Sequence, residues 1–409
     1  MISDALLERV ACPVCLESEG CARCSAPPGH ASCTEAYAAR VRCGCGGPDK
    51  VRLEASVIPE RANDSLRCPC CGASYALRRG EGYADLAPVR PVGEITHYAD
   101  HEFQERLRTT DAEPVLSARV KADMMRRMLA PAAGELVLDL GCGAGKLALY
   151  AGRDGARAAG VDVAPYFVPG AVEAVDLVRG DLRRLPFRKG AFPCAYSLDV
   201  LEHLDEPGLL DVLVEARRAV GRHGRLFVYT HAMESSGLAR FQRAVNRLAR
   251  RLGRAGLIDH EREALRKSDH VNAIRSHEHF EALCAEAGWE VAERRYYNVV
   301  FKAVVEDLGL RLYEQARRGE GRRPEIAGGP GKPEHASVTA LLPRRPGRVA
   351  LAAARGLTWL LKLDVVLFGG VRTGPFFGLL RPRGGSGGAR RGPPGLTERA
   401  WIHSARARR

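Results

Sequence analysis

The sequence has no uncharged apolar run approaching the roughly 18 to 20 residues that a membrane-spanning helix needs. Its start, MISDALLERVACPVC, lacks the basic-then-apolar layout of a secretory leader, so the expected location is cytoplasmic. No internal repeat is found, which excludes a solenoid or blade array. No compositional extreme is found either: 45% hydrophobic and 27% charged residues exclude wholesale disorder and any fibrous class. At 409 residues the chain exceeds one ordinary domain, and one large domain with additions or two unequal domains are expected.

Two residue types are present in unusual places. Ten of the thirteen cysteines fall within the first 71 residues, mostly in pairs, and in a reducing compartment such pairs mean metal before disulfide. Arginine is clustered too. Residues 240–254 hold six arginines and no acid, and residues 381–409 hold eight arginines against Glu398, so these two segments account for the whole net charge of +13. The basicity is therefore local, and two patches need explaining.

Residues 1–90 are Cys-rich and turn-rich and lack helical periodicity, which predicts a small metal-stapled module followed by a linker at 91–114. Cys12 with Cys15 and Cys68 with Cys71 form two C-x2-C knuckles, the spacing of a tetrahedral zinc ribbon. Cys21, Cys24, Cys43 and Cys45 lie between them and provide a second zinc set, with Cys33 or His30 as substitutes; the alternative is that this insert binds nothing. From Val115 the pattern changes. A helical stretch ends at Pro131, and ELVLDL, a buried strand, runs into GCGAGKLALYAG, a glycine turn opening a helix. Strand-like runs recur at ARAAGVDV, VDLVRGD, FPCAYSLDV, GRLFVYTH, WEVAERRYYNVV and GPFFGLLRP, separated by helical patterns. Alternation of this kind predicts an α/β, doubly wound sheet. The expected domain spans 115–383 with insertions at 236–269 and 311–370, and a flexible basic tail occupies 384–409.

Gly141, Gly143 and Gly145 stand directly after the strand carrying Asp139 and directly before a helix, where free N–H groups and absent side chains admit a ligand. Asp162 ends the next strand, where a carboxylate can accept both hydroxyls of a ribose. A dinucleotide fingerprint would place its third glycine at Lys146. The G-x-G-x-G spacing with Asp139 ahead of it resembles that of class I S-adenosylmethionine-dependent methyltransferases. SLDVLEHL at 197–204 resembles the fourth-strand motif of the subgroup with the ubiquinone and menaquinone methylases. The resemblance implies a seven-stranded Rossmann-like methyltransferase sheet, with S-adenosyl-L-methionine held by Asp139, the three glycines and Asp162. It also implies that Asp181 with Leu182 lies near the adenine and that Asp199, at the end of strand four, belongs to the cofactor-binding set. The segment CPCCGASYALRRGEGYADLAP resembles the zinc ribbon fused to some rRNA guanine methyltransferases and the small zinc-ribbon activator of tRNA methyltransferases.

Methyl transfer from a sulfonium is an in-line displacement, so positioning dominates and a base is needed only for a protonated nucleophile. The candidate bases at the strand ends are His231, His203 and Glu202. His270, His277 and His279, before and within a helix predicted to start at Ser276, read as surface or capping residues and not as metal ligands. Arg240, Arg243, Arg247, Arg251 and Arg254 line one helix face, opposite Phe241, Val245, Leu248 and Leu252, a basic amphipathic helix suited first to packing as a lid over the cofactor cleft and otherwise to meeting anionic lipid or RNA. Arg348, Arg355 and Lys362, seven apart in an apolar stretch, leave a narrow polar stripe on a second helix, suited to a packed helix or a membrane interface. The acceptor readings are a small molecule or lipid-like compound, with peripheral contact at the inner membrane face, or RNA bound with the zinc ribbon's help. The N/D-P-P-Y/F turn of many base-amino methylases is absent at Asp199. A cofactor-binding scaffold without catalysis is the third reading.

Overall fold

The computed structural model describes residues 2–11, 60–87, 113–257, 270–305 and 348–384, short breaks aside. Five parallel strands make the centre: β5 (Leu136–Leu140), β6 (Arg157–Asp162), β7 (Asp176–Arg179), β8 (Cys194–Leu198) and β9 (Arg225–His231). They lie in the order β7-β6-β5-β8-β9. Every residue of β5 and β8 is buried, as expected of strands covered on both faces. Beyond β9 the chain closes with an antiparallel pair, β10 (Trp289–Tyr296) and β11 (Pro375–Pro382). The later strand lies inside, pairing with both β9 and β10. Residues 297–374 thus separate two neighbouring antiparallel strands.

The sheet does not stop at seven strands. On its other side β4 (Tyr83–Asp85) pairs in parallel with β7, and β3 (Ser74–Arg78), β2 (Ser65–Arg67) and β1 (Glu60–Ala62) follow, giving eleven strands in one sheet among the described residues. Where composition sets a boundary near residue 90, the sheet runs across it. The amino terminus is docked as well. In the short helix α1 (Asp4–Leu7) and the residues around it, Leu6 and Val10 are fully buried in the same core as Leu138 and Val161. Ser3 donates from its backbone N–H (2.8 Å) and hydroxyl (2.6 Å) to Asp176. The physical reason is that two or three short strands cannot bury an apolar face by themselves, so Leu66, Tyr75 and Leu77 use the core of the large domain.

Strand alternation divides the core between the two faces. Leu226 and Val228 of β9 point to one face, Phe227 and Tyr229 to the other. The first face is covered by α5 (Glu206–Val220) and α7 (His277–Glu286); the second by α2 (Leu116–Leu129) and α9 (Arg348–Phe368). Asp205 and Ser276 cap α5 and α7 by accepting from Gly208 and His279 N–H, which confirms Ser276 as a helix start. The remaining helices are α3 (Lys146–Gly152), α4 (Pro169–Ala174), α6 (Ala239–Arg254) and α8 (Phe301–Val304).

Helix α9 corrects the polar-stripe expectation. Lys362 is 2% exposed and pairs with Asp123 of α2 at 2.6 Å, and Asp364 is fully buried, accepting from the N–H groups of Val300 and Phe301. Lys362 and Asp364 face inward, while Arg355 faces solvent near Glu113 and Leu357, Trp359 and Leu367 face out. Helix α6 presents all its arginines to solvent and buries Val245 and Ala249, but Leu248, expected on the apolar face, is 45% exposed. Among the described residues no helix is long and apolar enough to cross a membrane.

Candidate active site

The carboxyl ends of β5, β6, β7, β8 and β9 converge on one edge of the sheet, where ligands of doubly wound folds bind. Gly141, Gly143 and Gly145 all take positive φ, at +78°, +51° and +76°. Two are also fixed by packing. A Cβ on Gly141 would lie 2.5 Å from Val200, and one on Gly145 would lie 2.7 Å from Ala171. A Cβ on Gly143 would meet nothing within 4 Å, so the middle of the turn is open. This is the cradle a nucleoside cofactor requires, at the amino end of α3. Cys142 is buried beside Gly160 and acts as a filler, its thiol pushed far up by burial.

Asp162 organises the same turn. Its Oδ2 accepts from Gly143 N–H at 2.7 Å and its Oδ1 from Ala164 N–H at 2.9 Å. Desolvation outweighs these bonds and raises its pKa above the usual carboxylate value. Each oxygen keeps a further lone pair for a ribose hydroxyl. Asp139, 3% exposed, accepts from the Tyr196 hydroxyl at 2.8 Å, and burial pushes it up to about 8. It is a neutral acid under the loop at ordinary pH. Tyr196 stands directly opposite Asp139 in the β5–β8 register, a pairing that sequence reasoning missed because nothing local links the two positions.

At the end of β7 the Asp181 carboxylate is held by Arg183, through Nε at 3.0 Å and Nη2 at 2.8 Å, and it caps the short turn Leu182–Arg184. An adenine amino group would have to share these oxygens. Leu182 is half-buried beside it.

The opposite side of the site is built from β8, β9 and α2. Asp199 follows β8 with φ +56°, a left-handed conformation that Asp tolerates better than most residues. Partial desolvation opposes its ionisation, but the Lys121 ammonium at 2.5 Å holds its pKa below the usual range. The same ammonium sits 4.5 Å from the centre of the Tyr229 ring. Lys121 was not legible as a site residue, since it reads as one more polar position on an amphipathic helix. Glu202 and His203 lie in the turn after β8, and His231 ends β9, so the three candidate bases do come together. Glu202 is 1% exposed; Thr230 Oγ1 donates to it at 3.1 Å, and His231 Nδ1 lies 3.4 Å from its other oxygen without a hydrogen bond. His270 belongs with them: its ring meets the His203 ring edge-on, 4.8 Å between centres. His277 also departs from the surface reading. It is fully buried, bonds the Thr373 carbonyl through Nε2 at 2.8 Å, and burial lowers its pKa. His279 remains at the helix start beside Glu206.

The expected zinc ligands Cys12, Cys15, Cys68 and Cys71, and the inserted Cys21, Cys24, Cys43 and Cys45, lie outside the described residues, as does the basic tail.

A family model described as a methyltransferase domain matches residues 138–228, from β5 to β9. A 37.1 kDa protein in a transposon of Streptomyces fradiae is 35% identical over 134 residues, 30% of this chain and 36% of that protein. Among solved structures, phosphoethanolamine N-methyltransferase 2 of Haemonchus contortus, in complex with S-adenosyl-L-methionine, is 15% identical. The match covers 65% of this chain and 52% of that one, with a TM-score of 0.39. Geranyl diphosphate C-methyltransferase of Streptomyces coelicolor is 13% identical over 64% of this chain and 79% of that one, with a TM-score of 0.35. The chain thus spans about a third of the first relative and half of the second. Over residues 138–228 the chain therefore carries a methyltransferase domain, the domain of an enzyme, and the glycine turn, Asp162 and the strand order agree with that match.

Proposed function

We propose that the chain transfers a methyl group from S-adenosyl-L-methionine to an oxygen nucleophile of a small-molecule or lipid-like acceptor. The observation that carries the reading is the division of one cleft into two chemistries. The glycine turn and Asp162 offer a nucleoside cradle on β5 and β6, and across from it the buried Glu202 faces the part-exposed His231 at the ends of β8 and β9, beside Asp199 and Lys121 of α2. An imidazole oriented by a buried carboxylate is the arrangement of a general base, which an oxygen nucleophile needs and an amine does not. The ubiquinone-like motif SLDVLEHL supports the same acceptor class.

Peripheral membrane contact is part of this proposal. It is supported by the exposed arginines of α6 and by the outward Leu357, Trp359 and Leu367 of α9. The same arginines favour RNA as a second reading, since they suit phosphates equally well.

The test is incubation of the purified chain with methyl-labelled cofactor and, separately, total lipid extract, a panel of hydroxylated small molecules and total RNA. Label in the lipid or small-molecule fraction is expected. Label in RNA alone transfers the function to the second reading, and cofactor binding without any labelled product leaves a scaffold.

A further inference from the structure

We propose that Glu202, His203 and His270 form a site for one divalent transition-metal ion on the acceptor side of the cleft. The donor atoms of these three side chains all lie within 4.8 Å of one another. Bonds of about 2.0–2.2 Å bring donors on one ion to roughly 3.3 Å apart, so small side-chain rotations close the set.

Three observations support metal over chance proximity. The first is charge. Glu202 is 1% exposed, and its side-chain contacts are the Thr230 hydroxyl and His231 Nδ1, with no lysine or arginine paired to it among the described residues. A carboxylate so enclosed needs a cation close by. The second is support of the ligands. Thr230 fixes one carboxylate oxygen, Asn272 N–H donates to the Glu202 carbonyl at 3.0 Å, and Asn272 Nδ2 donates to the His270 carbonyl. Asn272 takes φ +53° to do so, which ties the loop of His270 to the turn of Glu202 and His203. Bonds of this kind orient metal ligands. The third is His231, whose Nδ1 is buried, lacks a well-directed hydrogen bond and faces the same carboxylate. It stands beside the three ligands, its ring centre 6.3 Å from that of His270.

Two imidazoles and one carboxylate suit zinc, manganese, cobalt or iron in preference to magnesium. With three protein ligands the ion keeps an open position, where a hydroxyl or carbonyl oxygen of the acceptor would bind and become more acidic. Glu202 has enough acceptor sites to serve both the ion and His231. The role of the ion rests on the methyl-transfer reading, but its binding does not.

The experiment uses the full chain stripped with chelator and titrated with Co(II), whose absorption separates thiolate from nitrogen and oxygen ligation. One equivalent with nitrogen/oxygen character is expected, distinct from any thiolate-bound ion at the amino terminus. His270→Gln, in a loop, and the isosteric Glu202→Gln should each weaken that equivalent at least tenfold while cofactor affinity, measured by calorimetry on the same samples, stays within twofold. Cys12→Ser should leave it unchanged. Absence of a nitrogen/oxygen-ligated equivalent in the wild-type chain, or its persistence at full affinity in both variants, overturns the site. Binding of the ion with no acceleration of methyl transfer leaves the site and removes its role.

Discussion

Replacing Gly143 by alanine should weaken cofactor binding at little cost to the fold, whereas the same change at Gly145 should damage the fold first. Both positions have positive φ, so each alanine incurs about 1–2 kcal/mol for the left-handed backbone. The surroundings then separate them. At Gly145 the new methyl would lie 2.7 Å from Ala171 Cβ, inside the α3–α4 contact, and overpacking adds about 1–3 kcal/mol. At Gly143 nothing lies within 4 Å, so the backbone cost stands alone. If that open space is the path of the nucleoside, the methyl must clash with the ligand instead of the protein. Urea unfolding should show Gly145→Ala losing about 2–5 kcal/mol and Gly143→Ala about 1–2 kcal/mol. Calorimetry with S-adenosyl-L-methionine should show Gly143→Ala binding at least about tenfold more weakly, a difference of about 1.4 kcal/mol. Wild-type affinity in Gly143→Ala would place the cofactor elsewhere and remove the reasoning about the turn.

Asp162→Ala should weaken cofactor binding by at least about tenfold in the same assay, since it removes acceptors of charge-assisted bonds worth about 1.5–3 kcal/mol each; unchanged affinity contradicts the ribose contact. Asp139, held at about 8 in the fold, keeps a proton that the unfolded chain releases, so the stability it contributes is full below pH 4 and is lost as pH rises towards 8. Relative to Asp139→Asn, the wild-type chain should lose about 1.4 kcal/mol per pH unit across that window, and parallel stability curves would show that Asp139 ionises normally. Lys362→Ala removes the shortest ion pair of the buried Asp123, leaving Arg119 at 2.9 Å and Arg126 at 3.9 Å, and should cost about 3 kcal/mol in chemical denaturation. Elemental analysis of protein purified without chelator should find at least one zinc bound by thiolates; in a Cys12→Ser, Cys15→Ser variant that zinc should be lost. Sedimentation with anionic vesicles at low salt should carry the chain down and release it as salt rises, while neutral vesicles carry much less, because each arginine near an anionic surface contributes about 1 kcal/mol; protein left in the supernatant refutes the membrane contact.

The central sheet and half of the site were legible in the sequence because their signals are local. Strand, glycine turn and helix follow one another within 20 residues around Gly143, and the strand ends carry Asp162, Asp181, Asp199 and His231 by simple succession. What the sequence could not decide is which distant positions meet. Tyr196 beneath Asp139, Lys121 against Asp199, and His270 beside His203 each join residues far apart in the chain, and their proximity depends on sheet register and on the path of an insertion. The inward Lys362 of α9 escaped for a related reason: seven-residue spacing marks a stripe on a helix, but only the buried Asp123 on α2 determines that Lys362 faces the core while Arg355 faces solvent. The domain boundary escaped too, because composition reports where cysteines and turns begin and end, while strands β1 to β4 join the large sheet through backbone pairing that carries no compositional mark.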